Sequence, residues 1–165
     1  MVTVGIITIS DRSARGERVD LSGPEIRKWS EYRGYKIIEM KIVPDEIKEI
    51  RDSIIQCADK DINLILTTGG TGCSDRDVTP EATLSVIDKL VPGIPEMMRM
   101  KSSLITPHAM LSRAVAGIRK RSLIINLPGS PKAVCENLDF IEKAIPHAIE
   151  ILKSEVRDCG KVNEK

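Results

Sequence analysis

The segment from Leu64 to Ala82 constrains the fold more than any other part of the chain. It opens with an apolar, β-branched run at residues 62–66, which is typical of a buried strand. Gly69-Gly70-Thr71-Gly72 follows, where the backbone can adopt positive φ and approach a ligand closely. Next comes a predicted helix start, with Thr79 as the N-cap and Pro80 at the first helical position. This order of strand, glycine loop and helix N-terminus predicts an anion site made mostly of backbone N–H groups.

Acidic side chains beside the glycine loop indicate a cation as well as an anion. The loop is not a P-loop, because no Gly-Lys-Ser/Thr follows, and Asp75 stands where a dinucleotide-binding fingerprint needs its third glycine. Asp75 and Asp77 would repel a phosphate unless a cation lay between them. Mg²⁺ held by one or two carboxylates plus phosphate oxygens is the usual arrangement. The loop therefore favours a magnesium nucleotide; the alternative is that both aspartates only cap a turn and the following helix.

Composition argues against nucleic-acid and membrane partners. The net charge of +1 gives no electrostatic case for either, and one Trp, two Tyr and one Phe cannot build a stacking platform. No apolar run is long enough to span a bilayer, and no signal peptide is present. The four cysteines show neither a C-x-x-C pair nor zinc spacing, which favours free thiols. We expect a soluble, cytoplasmic protein that binds no nucleic acid and no membrane.

Strand and helix patterns alternate along residues 1–153, which we expect to form one domain, followed by a polar tail at 154–165 that frays. The expected strands and hairpin arms lie at 2–9, 35–43, 62–67, 114–118 and 122–127. The helix after the glycine loop is expected to run from Pro80 to Leu90. Alternation of this kind implies a three-layer α/β/α sandwich with a mostly parallel sheet, to which the hairpin adds an antiparallel strand.

Four polar or glycine-rich loops should meet at one rim of this sheet. They begin at Ser10, Asp45, Gly69 and Pro128, each directly after a predicted strand. Parallel strands bring their carboxyl ends to the same edge, where open α/β sheets bind ligands. Ser130 is placed to cap the helix that Pro131 opens. Convergence of four such loops is stronger evidence for a ligand site than any single loop.

Five ordered segments resemble a known family. They are Thr8–Arg12, Val43–Glu46, Thr68–Gly72, Arg76–Ala82 and, with gaps, Ser112–Pro131. The resemblance is to the MoaB/MogA family of molybdenum-cofactor biosynthesis proteins, and within it to the MogA-type molybdopterin adenylyltransferases. It covers about residues 3–152, and the ordered set is far more specific than the glycine loop alone.

The resemblance implies an α/β/α sandwich that assembles as a homotrimer. It also implies a reaction in which ATP and molybdopterin give adenylyl-molybdopterin and pyrophosphate with Mg²⁺, and hand-over of the product to a separate molybdenum-insertion protein. The nucleophile of such a reaction is the terminal phosphate of molybdopterin, which is already anionic, so no general base is required. Alignment of two phosphates and neutralisation of their charge would then carry the catalysis.

The family's acidic positions match Asp77 and Asp45, which implies that both are catalytic and place Mg²⁺. For Asp45 a helix N-cap role is the alternative. Ser10, Asp11 and Arg12 are expected to line the rim, with a loop salt bridge as the alternative for Arg12. The other residues expected to bind nucleotide or molybdopterin are Thr68, Gly69, Gly70, Thr71, Gly72, Asp75, Thr79, Ser112, Arg113, Asn126, Pro128, Gly129 and Ser130.

Three alternatives to adenylyl transfer stay open at this point. One is a MoaB-like relative that has lost or changed the transfer, and another is a carrier that binds molybdopterin without chemistry. The third is a generic nucleotide-binding α/β protein, which leaves the loops at Ser10 and Pro128 unexplained. The metal, molybdenum or tungsten, and the division of the loops between adenine and pterin stay open as well. Met97, Met98 and Met100 cannot all face one core, so part of their helix is expected to contact a partner subunit.

Overall fold

A computed structural model describes residues 1–153 of the 165-residue chain. The strands are β1 (Thr3–Ile9), β2 (Lys36–Val43), β3 (Leu64–Thr68), β4 (Lys89–Leu90), β5 (Ala116–Arg119) and β6 (Ser122–Leu127). The α-helices are α1 (Asp11–Ala14), α2 (Ser22–Tyr32), α3 (Ile47–Asp59), α4 (Thr79–Leu84), α5 (Gly93–Ser103), α6 (Pro131–Ile141) and α7 (Ala144–Leu152). A 3₁₀ helix covers Pro107–Leu111. The tail expected to fray, 154–165, lies outside the described residues.

The sheet has the strand order β2-β1-β3-β6-β5-β4. Strands β2, β1, β3 and β6 run parallel, and β5 pairs antiparallel with both β6 and β4. The tight turn between β5 and β6 places Lys120 at a φ of 53°. This arrangement confirms the mostly parallel sheet with an antiparallel hairpin.

Helices cover both faces of the sheet. One hydrophobic core lies under α2, α5, α6 and α7, with Leu64, Leu66 and Ile125 from the strands. The other lies under α3 and α4, with Ile7 and Ile65. Each fully buried aliphatic side chain contributes about 1.5–3 kcal/mol, so aliphatic residues supply most of the core's stability, with Trp29 as a buried aromatic side chain beside them. The three-layer α/β/α sandwich is confirmed.

The helix after the glycine loop is shorter than predicted. It ends at Leu84, and Lys89–Leu90 instead form β4 at the sheet edge. Exposed backbone groups of β5 recruit this segment: Asp88 N donates to Ile118 O at 2.7 Å, and Val91 N donates to Ala116 O at 2.9 Å. Leu90 is accordingly 58% exposed instead of facing the core. Hydrogen bonds to the otherwise unpaired edge of β5 therefore stabilise a strand here more than the local sequence pattern stabilises a helix.

The methionine-rich helix α5 divides its side chains between core and surface. Met98 is 3% exposed, whereas Met97 and Met100 are 38% and 54% exposed. The expectation that the three cannot share one core is confirmed, while contact with a partner subunit stays a prediction. Within residues 1–153, none of the helices combines the length and the apolar composition needed to cross a bilayer.

Candidate active site

The carboxyl ends of the parallel strands lie side by side, as predicted, and bring two glycine-containing loops together. Gly69 N donates to Leu127 O at 3.2 Å, and Thr68 Oγ1 donates to Pro128 O at 2.7 Å. A Cβ at Gly129 would lie 3.5 Å from the Cα of Gly69. The loop after β3 and the loop after β6 therefore form one continuous wall at the rim.

The glycine loop has a backbone conformation that residues with a Cβ rarely adopt. Gly69 and Gly70 have φ values of 97° and 64°, in the region that favours glycine. A Cβ would overlap the carbonyl oxygen of Ile9 at the first position and Oγ1 of Thr79 at the second. Within residues 1–153, the N–H groups of residues 70–73 donate to no protein acceptor. This row of free donors matches the backbone anion site predicted from the sequence.

Asp77 lies against the carboxyl end of the glycine loop. Its Oδ2 accepts a hydrogen bond from Ser74 N at 2.9 Å, and its N–H donates to Ser74 O at 3.0 Å. A Cβ on Gly72 would come within 2.8 Å of Oδ2, so glycine at this position makes room for the carboxylate. Asp77 thus caps a turn, which is the role that the sequence analysis gave as the alternative to cation binding. Its Oδ1 accepts no hydrogen bond from the described residues, so one oxygen stays available for a ligand.

Asp45 lies over the opposite end of the loop. Its Oδ1 would be 3.1 Å from a Cβ on Gly70, and its Oδ2 accepts from Asp11 N at 2.8 Å. Burial raises the pKa of Asp45, the neighbouring charges of Asp11 and Asp77 raise it further, and the Asp11 N–H and Arg76 oppose them. The carboxylates of Asp45 and Asp77 therefore flank the free N–H groups and repel each other.

The N-cap roles predicted for Asp45 and Thr79 differ from the structure. Glu46 is the N-cap of α3, because the Asp45 carboxylate is turned toward Asp11 instead. Val78 is the N-cap of α4, and Thr79 Oγ1 donates to Gly69 O at 2.9 Å. Both side chains form hydrogen bonds with the backbone of neighbouring rim loops and cap neither helix, so the N-cap alternative for Asp45 is wrong.

Arg76 joins three rim loops and was not among the predicted site residues. It donates to both carboxylate oxygens of Asp11 at 3.0 Å, and to Glu46 Oε1 at 2.8 Å. Its hydrogen bonds to Asp11 are the leading cause of the lowered pKa of that carboxyl group. Its place between Asp75 and Asp77, at the start of the resembling segment Arg76–Ala82, was the signal that pointed to it in the sequence. Asp75 itself is exposed and makes no hydrogen bond within the described residues.

The predicted residues at the start of the chain line the same rim. Ser10 is the N-cap of α1, where its Oγ accepts from Ser13 N at 3.2 Å. Arg12 is exposed, and within residues 1–153 its side chain forms no ion pair, so the loop salt bridge expected as its alternative is not found there. A guanidinium without an ion-pair partner among the described residues is suited to binding a phosphate at the rim.

Ser130, in the loop after β6, caps α6 as predicted, because its Oγ accepts a hydrogen bond from Ala133 N at 3.4 Å.

Asn126 is turned inward, whereas Arg113 lies against the glycine loop with 37% of its side chain exposed. Asn126 is fully buried, and its amide donates to Oγ1 of Thr67 at 3.0 Å and of Thr83 at 2.9 Å, beneath the loop and not in the cleft. Arg113 directs its guanidinium to the loop backbone and to Glu81. Ser112, beside it, accepts from Arg99 through its carbonyl oxygen at 3.3 Å.

Two cavities open on either side of the wall. A mainly apolar cavity of about 300 Å³ is lined by Thr71, Gly72, Met98, Ile105, Leu111 and Pro128, among others. A smaller, polar cleft of about 160 Å³ is lined by Ser10, Asp20, Ser22, Thr68, Gly69 and Gly129, among others. Ile105 and Leu111 lie outside the resembling segments of the sequence, and no local pattern marked them. The rim thus offers an apolar and a polar compartment next to one row of N–H donors.

Asp45 and Asp77 fit a magnesium ion that is shared with phosphate. The described residues contain no cluster of three or more His, Cys, Asp or Glu side chains able to hold a metal alone. Mg²⁺ does not require one, because it usually takes one or two carboxylates together with phosphate oxygens and water. Two carboxylates with free oxygens beside a row of free N–H groups meet that description.

The fold and this rim define an α/β protein with a ligand site at the carboxyl edge of its parallel sheet. The family described as "Probable molybdopterin binding domain" matches residues 5–147, and the chain belongs to that family.

More particular similarities are to named proteins. The chain is 43% identical over 167 residues to the molybdopterin adenylyltransferase of Helicobacter pylori strain J99, covering 99% of this chain and 93% of that protein. It is 48% identical over 162 residues to the gephyrin of Dictyostelium discoideum, covering 92% of this chain but only 22% of that much longer protein. The crystal structure of the molybdopterin biosynthesis enzyme MoaB from Thermus thermophilus superposes with a TM-score of 0.89 at 44% identity, covering 93% and 98% of the two chains.

Proposed function

We propose that the protein transfers the adenylyl group of ATP to the terminal phosphate of molybdopterin and releases pyrophosphate. The observation that carries the proposal is the position of Asp45 and Asp77 at the two ends of the free N–H row of residues 70–73. Similarity to a molybdopterin adenylyltransferase over 93% of that protein's length supports the reaction class. A carrier that only binds molybdopterin has no need of two acidic side chains that repel its phosphate.

The chain's own residues supply alignment and charge neutralisation. The N–H groups of residues 70–73 bind phosphate oxygens and stabilise the negative charge that develops at the α-phosphate. Asp45 and Asp77 would hold Mg²⁺, which supplies further neutralisation of the phosphates when bound. Since the attacking phosphate is already ionised at neutral pH, no side chain has to remove a proton. Holding two phosphates in line converts the encounter into an effectively unimolecular step.

Assembly and cellular context extend this proposal. The end of α5, the 3₁₀ helix and the residues that join them expose Met100, Leu104, Ile105, Met110 and Leu111, each more than half exposed. Large exposed apolar areas mark protein contacts, which supports the homotrimer implied by the family resemblance. Hand-over of the product to a separate molybdenum-insertion protein follows from the same reaction. The cytoplasmic location stays a prediction.

The test is transfer of label from [α-³²P]ATP to purified molybdopterin by the wild-type protein with Mg²⁺. We expect labelled adenylyl-molybdopterin, and pyrophosphate in equal amount. Asp61→Asn is the matched control for Asp77→Asn, because Asp61 is an exposed acid far from the rim. Its φ is positive, and asparagine tolerates that conformation. Bound molybdopterin without label transfer would contradict the proposal and support the carrier instead.

A further inference from the structure

Arg113 makes an unusual set of contacts with the glycine loop. Its backbone N–H donates to Thr71 O at 2.9 Å, and its Nε donates to Gly72 O at 2.7 Å. Its Nη2 donates to Asp77 O, at the other end of the same loop. One residue thus binds three carbonyl groups that bracket residues 72–77.

These contacts fix the direction in which the loop's N–H groups point. The described residues contain no cis peptide bonds, and in a trans peptide the carbonyl and the N–H point in opposite directions. Because the carbonyls of Thr71, Gly72 and Asp77 face Arg113, the N–H groups of the residues that follow them, 72, 73 and 78, face away from it. None of those three N–H groups donates within residues 1–153. Arg113 therefore stands behind the donor row.

The guanidinium is also neutralised on its own side of the loop. Nη1 donates to Oε1 of Glu81 in the first turn of α4, and Nη2 lies 3.4 Å from the second carboxylate oxygen. With the loop carbonyls, this pairing engages Nε and both terminal nitrogens. The rigid, planar fork of arginine is required to reach two carbonyls and a carboxylate together, which a lysine ammonium cannot do.

We propose that Arg113 is a positioning residue, which orients the donor row of the glycine loop and the backbone of Asp77, and does not itself contact phosphate. The proposal deepens the proposed function and rests on it for the role of Asp77. It differs from the role implied by the family resemblance, in which Arg113 binds the substrate. Glu81 shares the role, because it holds the guanidinium in place.

Amide hydrogen exchange of the ligand-free protein separates the two roles of Arg113. Ser74 N and Asp77 N are held by hydrogen bonds within the loop, so their exchange reports its order. In Arg113→Gln we expect exchange at both amides to accelerate by about tenfold or more, and adenylyl transfer to fall about 10- to 100-fold. The exchange rates and activity of Arg113→Lys should lie between those of the wild type and Arg113→Gln, since lysine keeps the charge but lacks the planar guanidinium. Glu81→Gln should accelerate the same amides.

Arg121→Gln is the control, because Arg121 is exposed and its ion pair to Asp61 lies away from the rim. We expect wild-type exchange and wild-type activity from it. Unchanged exchange in Arg113→Lys and Arg113→Gln, with weakened ATP binding, would overturn the proposal and make Arg113 a substrate contact. Faster exchange at both amides in a protein whose wild type transfers no label would instead overturn the proposed function and leave the loop-holding role standing.

Discussion

Asp11 and Asp45 exchange hydrogen bonds across the rim: Asp11 N donates to Oδ2 of Asp45 at 2.8 Å, and Asp45 N donates to Oδ1 of Asp11 at 3.0 Å. The pair locks the loop after β1 to the loop after β2 and leaves Oδ1 of Asp45 over Gly70. Two carboxylates this close repel each other, and Arg76 offsets part of that repulsion. The rim therefore keeps ionised groups together at a cost in stability, as expected of a site selected for binding rather than for folding alone.

The raised pKa of Asp45 predicts that Asp45→Asn stabilises the fold while it abolishes catalysis. Since the folded-state pKa lies above the unfolded value, ionisation of Asp45 opposes folding as pH rises through that pKa. Asparagine keeps the acceptor for Asp11 N and carries no charge. We expect a Tm gain of about 2 °C at pH 7, which disappears at about pH 3, with adenylyl transfer reduced about 100-fold or more. Thermal melts across this range and label transfer check it; a lower Tm at pH 7 would contradict it.

Arg76→Gln is expected to show the opposite pH dependence. Arg76 lowers the pKa of Asp11 in the folded state, so its stabilising effect is present above about pH 4 and is lost as pH falls through the depressed pKa. The variant should therefore melt below the wild type at pH 7, and the two curves should converge near pH 2. The exposed Arg27→Gln, whose ion pair to Glu31 lies within α2, is a control for charge removal. Equal Tm values for wild type and Arg76→Gln at pH 7 would show that Arg76 does not hold the rim.

Three glycine-to-alanine variants separate backbone strain from steric overlap. In Gly70→Ala, a positive φ is combined with overlap between the new Cβ and Thr79 Oγ1. In Gly16→Ala, the φ is positive but the Cβ enters open space. Gly93→Ala has neither a positive φ nor an overlap. We expect Gly70→Ala to cost about 1–3 kcal/mol of unfolding free energy and to lose activity. Gly16→Ala should cost about 1 kcal/mol with activity intact, and Gly93→Ala should be neutral or stabilising by up to about 1 kcal/mol. Urea unfolding measures all three, and a Gly70→Ala protein as stable as Gly16→Ala would rule out the overlap.

The sequence predicted the layers and the rim because both depend on strong local patterns. Apolar runs ending in glycine or polar residues located β1, β3 and β6, and parallel pairing then required their loops to meet. The resemblance added Asp45 and Asp77, which the structure places at opposite ends of the loop.

Contacts between distant segments were beyond the reach of local patterns. Arg76 reaches Asp11 and Glu46 across 65 and 30 residues, and nothing near Arg76 specifies either partner. β4 forms because it pairs with the edge of β5, although the local pattern of residues 80–90 predicts a helix. Burial likewise decides the role of Asn126, whose amide bonds hydroxyl groups of β3 and α4.

Pyrophosphate release on mixing the protein with molybdopterin and MgATP, compared between wild type, Asp77→Asn and Asp61→Asn, tests the central claim most directly. We predict release by the wild type and by Asp61→Asn, and release at least about 100-fold slower by Asp77→Asn, because a carboxylate that would hold the phosphate-neutralising Mg²⁺ is lost. Equal release by all three would contradict the placement of Asp77 in the chemistry. No release by the wild type, with molybdopterin bound, would contradict adenylyl transfer itself.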